Sequence, residues 1–324
     1  TTDIAASKDS AILAPQAGLV MRLGLDEEDG ETAADSSGND NHGMLERFNA
    51  DGITGRIDHA GQRDSYSFSL AARSRLLLDV LSPYNGNVTL TLTGPRGTEF
   101  SGWRFDNTDS GTLGGSRLLD LPAGDYTITV DGTGDTTGWY NFRLLDLAAA
   151  TPVTVGTSFS GALVPGSETQ LFAFQATAGE RVYLDHLGFT NSTYVRLYDP
   201  TGRLILGQTY IGSLNSQGAV TLAATGTYVI AVEGHPGEGT RQTFSLIVDP
   251  IIDQDFALTL GAAVSATIGN RGQVDRYSFT VAEETFVVFD ALSDTPNLSW
   301  TLSTPGYTPV SNRSWQGSDS ENLD

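Results

Sequence analysis

The sequence predicts an all-β chain of tandem antiparallel β-sandwich modules, jelly-roll-like in pattern. Three observations predict it: a long internal period, short stretches of two-residue alternation, and turn-forming residues between them. The period comes first. "QRDSYSF" at 62–68 returns as "QVDRYSF" at 273–279, with a diverged "ETQLFAF" at 168–174 between them. Tyr66 and Phe68 thus align with Phe172 and Phe174, then with Tyr277 and Phe279, at steps of 106 and 105 residues. A unit of that length is a small domain and is too long for a solenoid repeat.

The neighbouring segments keep the same step. "RLLLDV" (75–80) aligns with "RVYLDH" (181–186) and "FVVFDA" (286–291), and "NVTLTLTGP" (87–95) with "STYVRLYDP" (192–200) and "NLSWTLSTP" (297–305). "LPAGDYTITVDG" (121–132) matches "LAATGTYVIAVEG" (222–234), and "YNFRLLDL" (140–147) matches "QTFSLIVDP" (242–250). Within these words apolar residues alternate: Tyr66 with Phe68, Leu76 with Leu78 and Val80, Tyr126 with Ile128 and Val130. That is the period of a half-buried strand. "SPYNGN", "TGPRG" and "DGTGDTTG" supply turns. About seven or eight strands per repeat suit a two-sheet sandwich. The expected division is 1–51 as an N-terminal β-segment, 52–148 as repeat 1, 149–250 as repeat 2, and 251–324 as an incomplete repeat 3. Modules of this size are expected to behave as nearly independent beads.

Composition narrows the function classes. The chain has 324 residues, 37 of them glycine, and no cysteine, so disulfides and thiolate chemistry are excluded. No apolar run has the roughly 18 residues a membrane helix needs, so membrane insertion is not expected. Eighteen basic residues against 39 acidic ones give a net charge of −21, which argues against nucleic acid as a partner. No basic and apolar leader opens the sequence.

The words "GRIDHAGQRDSYSF", "LLLDV", "LTLTGPRG", "LPAGDYTITVDG" and "GWYNFRLLDL" resemble the bacterial pre-peptidase C-terminal domain family. The resemblance covers 52–147, 153–250 and 257–324 and is strongest in the first copy. It implies jelly-roll modules of secreted or cell-surface proteins, with a targeting or binding role and no catalytic residues. Upstream, "GLVMRLGLDEEDGETAADSSGNDNHGML" (18–45) is similar to the opening of laminin-G-like, concanavalin-type domains. Under thirty residues match, so that family's carbohydrate site does not carry over.

Motifs for chemistry are sparse. His42, His59, His186 and His235 show no metalloprotease spacing, and no nucleophile elbow or phosphate loop is present. The expected function is therefore non-enzymatic: tandem spacer, adhesion and binding modules whose partners are an extracellular protein, a polysaccharide or further copies of the chain. The alternatives are the substrate-targeting region of a secreted peptidase or other hydrolase, and a carbohydrate-binding module. Trp103, Trp139, Tyr140 and Trp315 lie in or beside loops and are the candidate ligand-binding aromatics. Calcium is the candidate cofactor. Asp249, Asp253 and Asp255 sit in the joint after repeat 2, and Asp131 and Asp135 in a glycine-rich hairpin loop, where several oxygens can converge. Asp79, Asp185 and Asp290 recur inside a strand, where Asp is disfavoured; the favoured compensation is a hydrogen bond from backbone N–H groups of a neighbouring loop, which would stabilise every module alike, and the alternative is a metal-ligand role.

Overall fold

A computed structural model describes residues 32–33, 43–44, 52–81, 86–105, 118–190 and 192–316. The laminin-G-like resemblance falls almost wholly outside them; Thr32–Ala33 (β1) and Gly43–Met44 (β2) pair as two short antiparallel strands. Among the described residues the other regular elements are strands and two 3-10 turns, Leu147–Ala149 and Ile211–Ser216. The chain divides into two compact units, one spanning Thr1–Asp253 with Ile268–Val274, the other Gln254–Thr267 with Asp275–Asp324.

The first unit holds two sandwiches. Repeat 1 runs β3 (Ile53–Ile57), β4 (Arg63–Leu70), β5 (Ser74–Val80), β6 (Val88–Gly94), β7 (Gly97–Arg104), β8 (Leu119–Leu121), β9 (Gly124–Gly132) and β10 (Gly138–Asp146). Its sheets have strand orders β3-β10-β5-β8 and β4-β9-β6-β7. Repeat 2 adds a short edge strand β11 (Thr151–Pro152). It then repeats the series as β12 (Phe159–Leu163), β13 (Thr169–Ala176), β14 (Arg181–Phe189), β15 (Thr193–Tyr198), β16 (Leu204–Tyr210), β17 (Val220–Thr221), β18 (Gly226–Gly234) and β19 (Gln242–Ile251). The orders β12-β19-β14-β17 and β11-β13-β18-β15-β16 reproduce repeat 1 strand for strand. The sequence period is therefore a structural period, and the alternating words are its core.

Each core is built by the inward halves of these strands. Tyr66, Leu78, Leu90, Leu92, Tyr126, Ile128, Val130 and Phe142 fill repeat 1; Phe172, Leu184, Val195, Leu197, Tyr228, Ile230 and Val232 fill repeat 2. Phe68 is only partly buried and stacks on Tyr126 at 5.1 Å between ring centroids. Tyr126 and Tyr228 each donate from the hydroxyl to a carbonyl four residues back, Pro122 and Ala224, pinning the entry to β9 and β18. Register aligns Tyr140, opposite Gly55, with Phe244, opposite Gly161. The aromatic ring lies over the glycine in both: a Cβ on Gly55 would stand 2.2 Å from the Tyr140 hydroxyl, and one on Gly161 2.5 Å from Phe244 Cζ.

The opening glutamine of the repeated word has its own task. Gln62 Oε1 accepts from the backbone N–H groups of Asp58 and His59, and Gln273 Oε1 accepts from those of Gly269 and Asn270. Each glutamine closes the turn that precedes its strand.

The second unit contains β20 (Gln254–Ala257) paired parallel with β21 (Asp275–Ser278), and β22 (Ser299–Thr304) paired antiparallel with β23 (Tyr307–Ser314). The β20–β21 pairing repeats that of β11 with β13, since Phe256 faces Tyr277 as Thr151 faces Phe172. The segment aligned with β5 and β14 is not in a sheet here, and Phe286 is 97% exposed.

Candidate functional site

The most elaborate cluster of polar side chains lies where the two sandwiches of the first unit meet. The outward side chains of β5 and β10 meet those of β13, β15 and β18. Leu77, Leu147, Ala150, Leu171, Tyr198, Val229 and Ala231 form one apolar cluster shared by both repeats. The expected independence of the beads does not hold for this pair, because neither repeat can separate without exposing that cluster to water.

Asp79 stands inside this joint and is 0% exposed. Its Oδ2 accepts from Arg143 Nε at 2.7 Å and from the backbone N–H of Thr169, in the next repeat, at 3.1 Å. Arg143 Nη2 also donates to the Thr169 carbonyl at 2.8 Å. The strand aspartate is thus compensated by a backbone N–H, as expected, but across the joint. Burial outweighs the Arg143 charge and these hydrogen bonds and pushes the Asp79 carboxyl up to about 6. Around it, Ser167 Oγ donates to the Leu81 carbonyl, Arg75 Nη1 to the Pro200 carbonyl, and Arg196 Nε to the buried Glu233 at 3.0 Å.

A related device follows repeat 2. Val274, which aligns with Thr169, donates its backbone N–H to Asp253 Oδ1 at 3.0 Å. Arg181 Nη1 reaches both oxygens of Asp253 at 2.6 and 2.7 Å, and its Nη2 reaches the Gly272 carbonyl. In both places a carboxylate held by an arginine receives the N–H of the second residue of the repeated word. The aspartates themselves are not equivalent. Asp185, aligned with Asp79, instead accepts from the His186 N–H and lies 3.7 Å from Arg271, while Asp290 is exposed.

The predicted metal ligands are placed as follows. Asp253 is engaged by Arg181 and Val274. Asp249 is half-buried, and burial together with nearby Asp185 pushes its carboxyl up. Asp255 is exposed and 3.7 Å from Arg276; Asp131 pairs with Arg63 at 2.8 Å; Asp135 is exposed. Among the described residues, no three His, Asp or Glu side chains are grouped to hold a metal ion.

The predicted aromatics divide by strand face. Trp139 is 64% exposed, with the Arg56 guanidinium 5.3 Å from its ring centroid. Tyr140, the next residue, points the opposite way and is 1% exposed, so it offers no surface to a ligand. Its hydroxyl bonds Tyr66 at 2.5 Å and donates to Asp64, and burial pushes it well above the usual tyrosine range. Trp103 stacks on Phe100 at 3.9 Å against the core. Trp315 is half-buried, its Nε1 donating to the Ser293 carbonyl at 3.0 Å.

Sequence reasoning missed Arg143 and Thr169. They differ between repeats: Arg143 stands opposite Asp79, whereas Asp185 faces Ile247. Comparing outward strand positions between repeats, rather than inward ones, is the signal that exposes them.

Among the described residues no helix is long and apolar enough to cross a membrane, which says nothing of strands. No family model matches the chain, and no curated protein matches it. Among solved structures it is similar to PliG of Aeromonas hydrophila, a periplasmic inhibitor of g-type lysozyme, at 17% identity over 31% of this chain and 95% of that one, with a TM-score of 0.24. PliG of Salmonella Typhimurium gives 19% identity over 31% and 97%, also at 0.24. The CUB1-EGF-CUB2 region of human MASP-1/3 gives 10% over 60% and 99%, at 0.18. Similarity at this level attaches no function to the chain.

Proposed function

We propose that the chain is a non-catalytic stretch of tandem sandwich modules, of the pre-peptidase C-terminal type, from a secreted or cell-surface protein. Its task is to space and present binding surfaces to an extracellular protein, a polysaccharide or another copy of itself. The observation that carries this reading is the joint: a shared apolar cluster and an aspartate buried between repeats fix their mutual orientation. A spacer needs such stiffness, because a rigid connection carries a surface a defined distance and a flexible one does not.

The absence of cysteine makes the test direct. Cysteines introduced at the exposed positions Thr133 and Gln217 and spin-labelled report the distance between repeats 1 and 2. A single narrow distance distribution supports a rigid spacer. A broad distribution, or two, overturns it.

A further inference from the structure

The outer face of the β4-β9-β6-β7 sheet is rebuilt relative to its counterpart in repeat 2. Register lays Ser65, Thr129 and Thr91 in one row across three strands, and Ser67, Thr127 and Thr93 in the next. In repeat 2 these rows read Leu171, Ala231, Arg196 and Ala173, Val229, Tyr198. The apolar members of those rows form the joint with repeat 1. The inward positions of the same strands keep their character: Tyr66 and Phe172, Ile128 and Ile230, Leu92 and Leu197. The change from apolar to hydroxyl is thus confined to one face.

A cavity of about 320 Å³ opens on that face. Its polar rim is Ser67, Ser69, Thr93, Asp125 and Thr127; the rings of Phe68 and Tyr126, between them in sequence, pack on the core side of the sheet. Asp125 accepts from Ser69 Oγ at 2.6 Å, which orients the carboxylate, and Ser67 Oγ lies 3.3 Å from Thr127 Oγ1. In repeat 2 the place of Asp125 is taken by Thr227, bonded by Gln175 at 2.7 Å.

We propose that this cavity binds one unit of a neutral saccharide. Four hydroxyls and a carboxylate match a ring that presents several hydroxyls, each able to donate to Asp125 and to exchange hydrogen bonds with serine and threonine. No cation lines the cavity and the chain carries −21, so phosphorylated and acidic sugars are disfavoured. The size lies at the lower end of small-molecule sites. The inference rests on the reading of the tandem as a non-catalytic binding array, for which it names a ligand class and a site.

The test is titration of the isotope-labelled chain with glucose, N-acetylglucosamine, cellobiose and, as the acidic counterpart, glucuronate, followed by amide shifts. A neutral sugar should move the amides around Ser67, Thr93 and Asp125 with millimolar affinity. Asp125→Ala should weaken binding about tenfold or more. Asp125→Asn, of the same shape, should weaken it as well while leaving thermal unfolding unchanged. Three results would each overturn the site: no shifts with any neutral sugar, glucuronate bound as well as glucose, or shifts centred on Trp139 and Arg56. Cleavage of cellobiose would instead overturn the non-catalytic reading and leave the site standing.

Discussion

Asp79 makes the stability of the joint depend on pH in a direction that can be worked out. Its carboxyl sits at about 6 in the folded chain against 3.8 when solvated. The folded state therefore holds a proton that the unfolded state has released between those values. Stability from this group is fully present below about pH 4 and is lost as pH rises through 6. The difference of about two pH units corresponds to about 3 kcal/mol. Asp79→Asn removes the titration while retaining an acceptor for the Thr169 N–H. Denaturant unfolding of both proteins at pH 4, 5, 6 and 7, followed by circular dichroism, isolates the difference. The wild type should lose about 2 kcal/mol relative to Asp79→Asn from pH 4 to 7, since part of the difference is already lost at pH 4. For a unit of this size that is about 4–8 °C in Tm. A difference independent of pH, or a wild type that gains on the variant as pH rises, would refute the argument.

Three further outcomes are expected. Leu77→Ala should cost about 2–5 kcal/mol. Combined with Val229→Ala across the joint, it should show a coupling above about 0.5 kcal/mol in a double-mutant cycle, whereas independent beads would give none. Tyr140→Phe should cost about 1–3 kcal/mol by leaving Asp64 and Tyr66 short of a partner, and Trp139→Ala, one residue away, should change urea unfolding by less than about 0.5 kcal/mol. Gly55→Ala should cost about 1–3 kcal/mol through the clash with the Tyr140 hydroxyl, readable in the melting temperature.

The repeat was legible because both its marks are local. Inward alternation is dictated by burial, and turn residues by backbone geometry, so two copies keep them even when little else agrees. The joint was not legible because it is built from outward positions, and those answer to whatever neighbour each repeat has. Ser65 faces water where Leu171 faces another sandwich; Asp79 meets Arg143 where Asp185 faces Ile247. The same logic sorts the aromatics. Trp139 and Tyr140 read alike as loop-side rings, yet adjacent strand residues point to opposite faces, and Tyr140 shares its face with Phe142 in the core. The acids proposed for calcium read as a cluster because they are near in sequence. In the fold Asp253 is drawn to Arg181, which lies 72 residues earlier.

The second unit carries the last consequence. In the repeat alignment Val288 stands where Leu77 and Tyr183 stand, the outward position of the strand after the repeated word. Leu77 is covered by the joint, and Tyr183 donates to the Asn215 carbonyl and is buried. Val288 is 72% exposed, with Phe286 and Leu292 exposed beside it in sequence. An apolar position covered in two repeats and open in the third predicts association, and another copy of the chain is the partner always present in solution. Sedimentation across a concentration series should show the chain associating. The double change Phe286→Ser with Val288→Ser should reduce that association while altering unfolding by less than about 0.5 kcal/mol, since neither side chain is buried. A chain that stays monomeric at every concentration, or a double variant that associates as the wild type does, would show that these residues make no intermolecular contact.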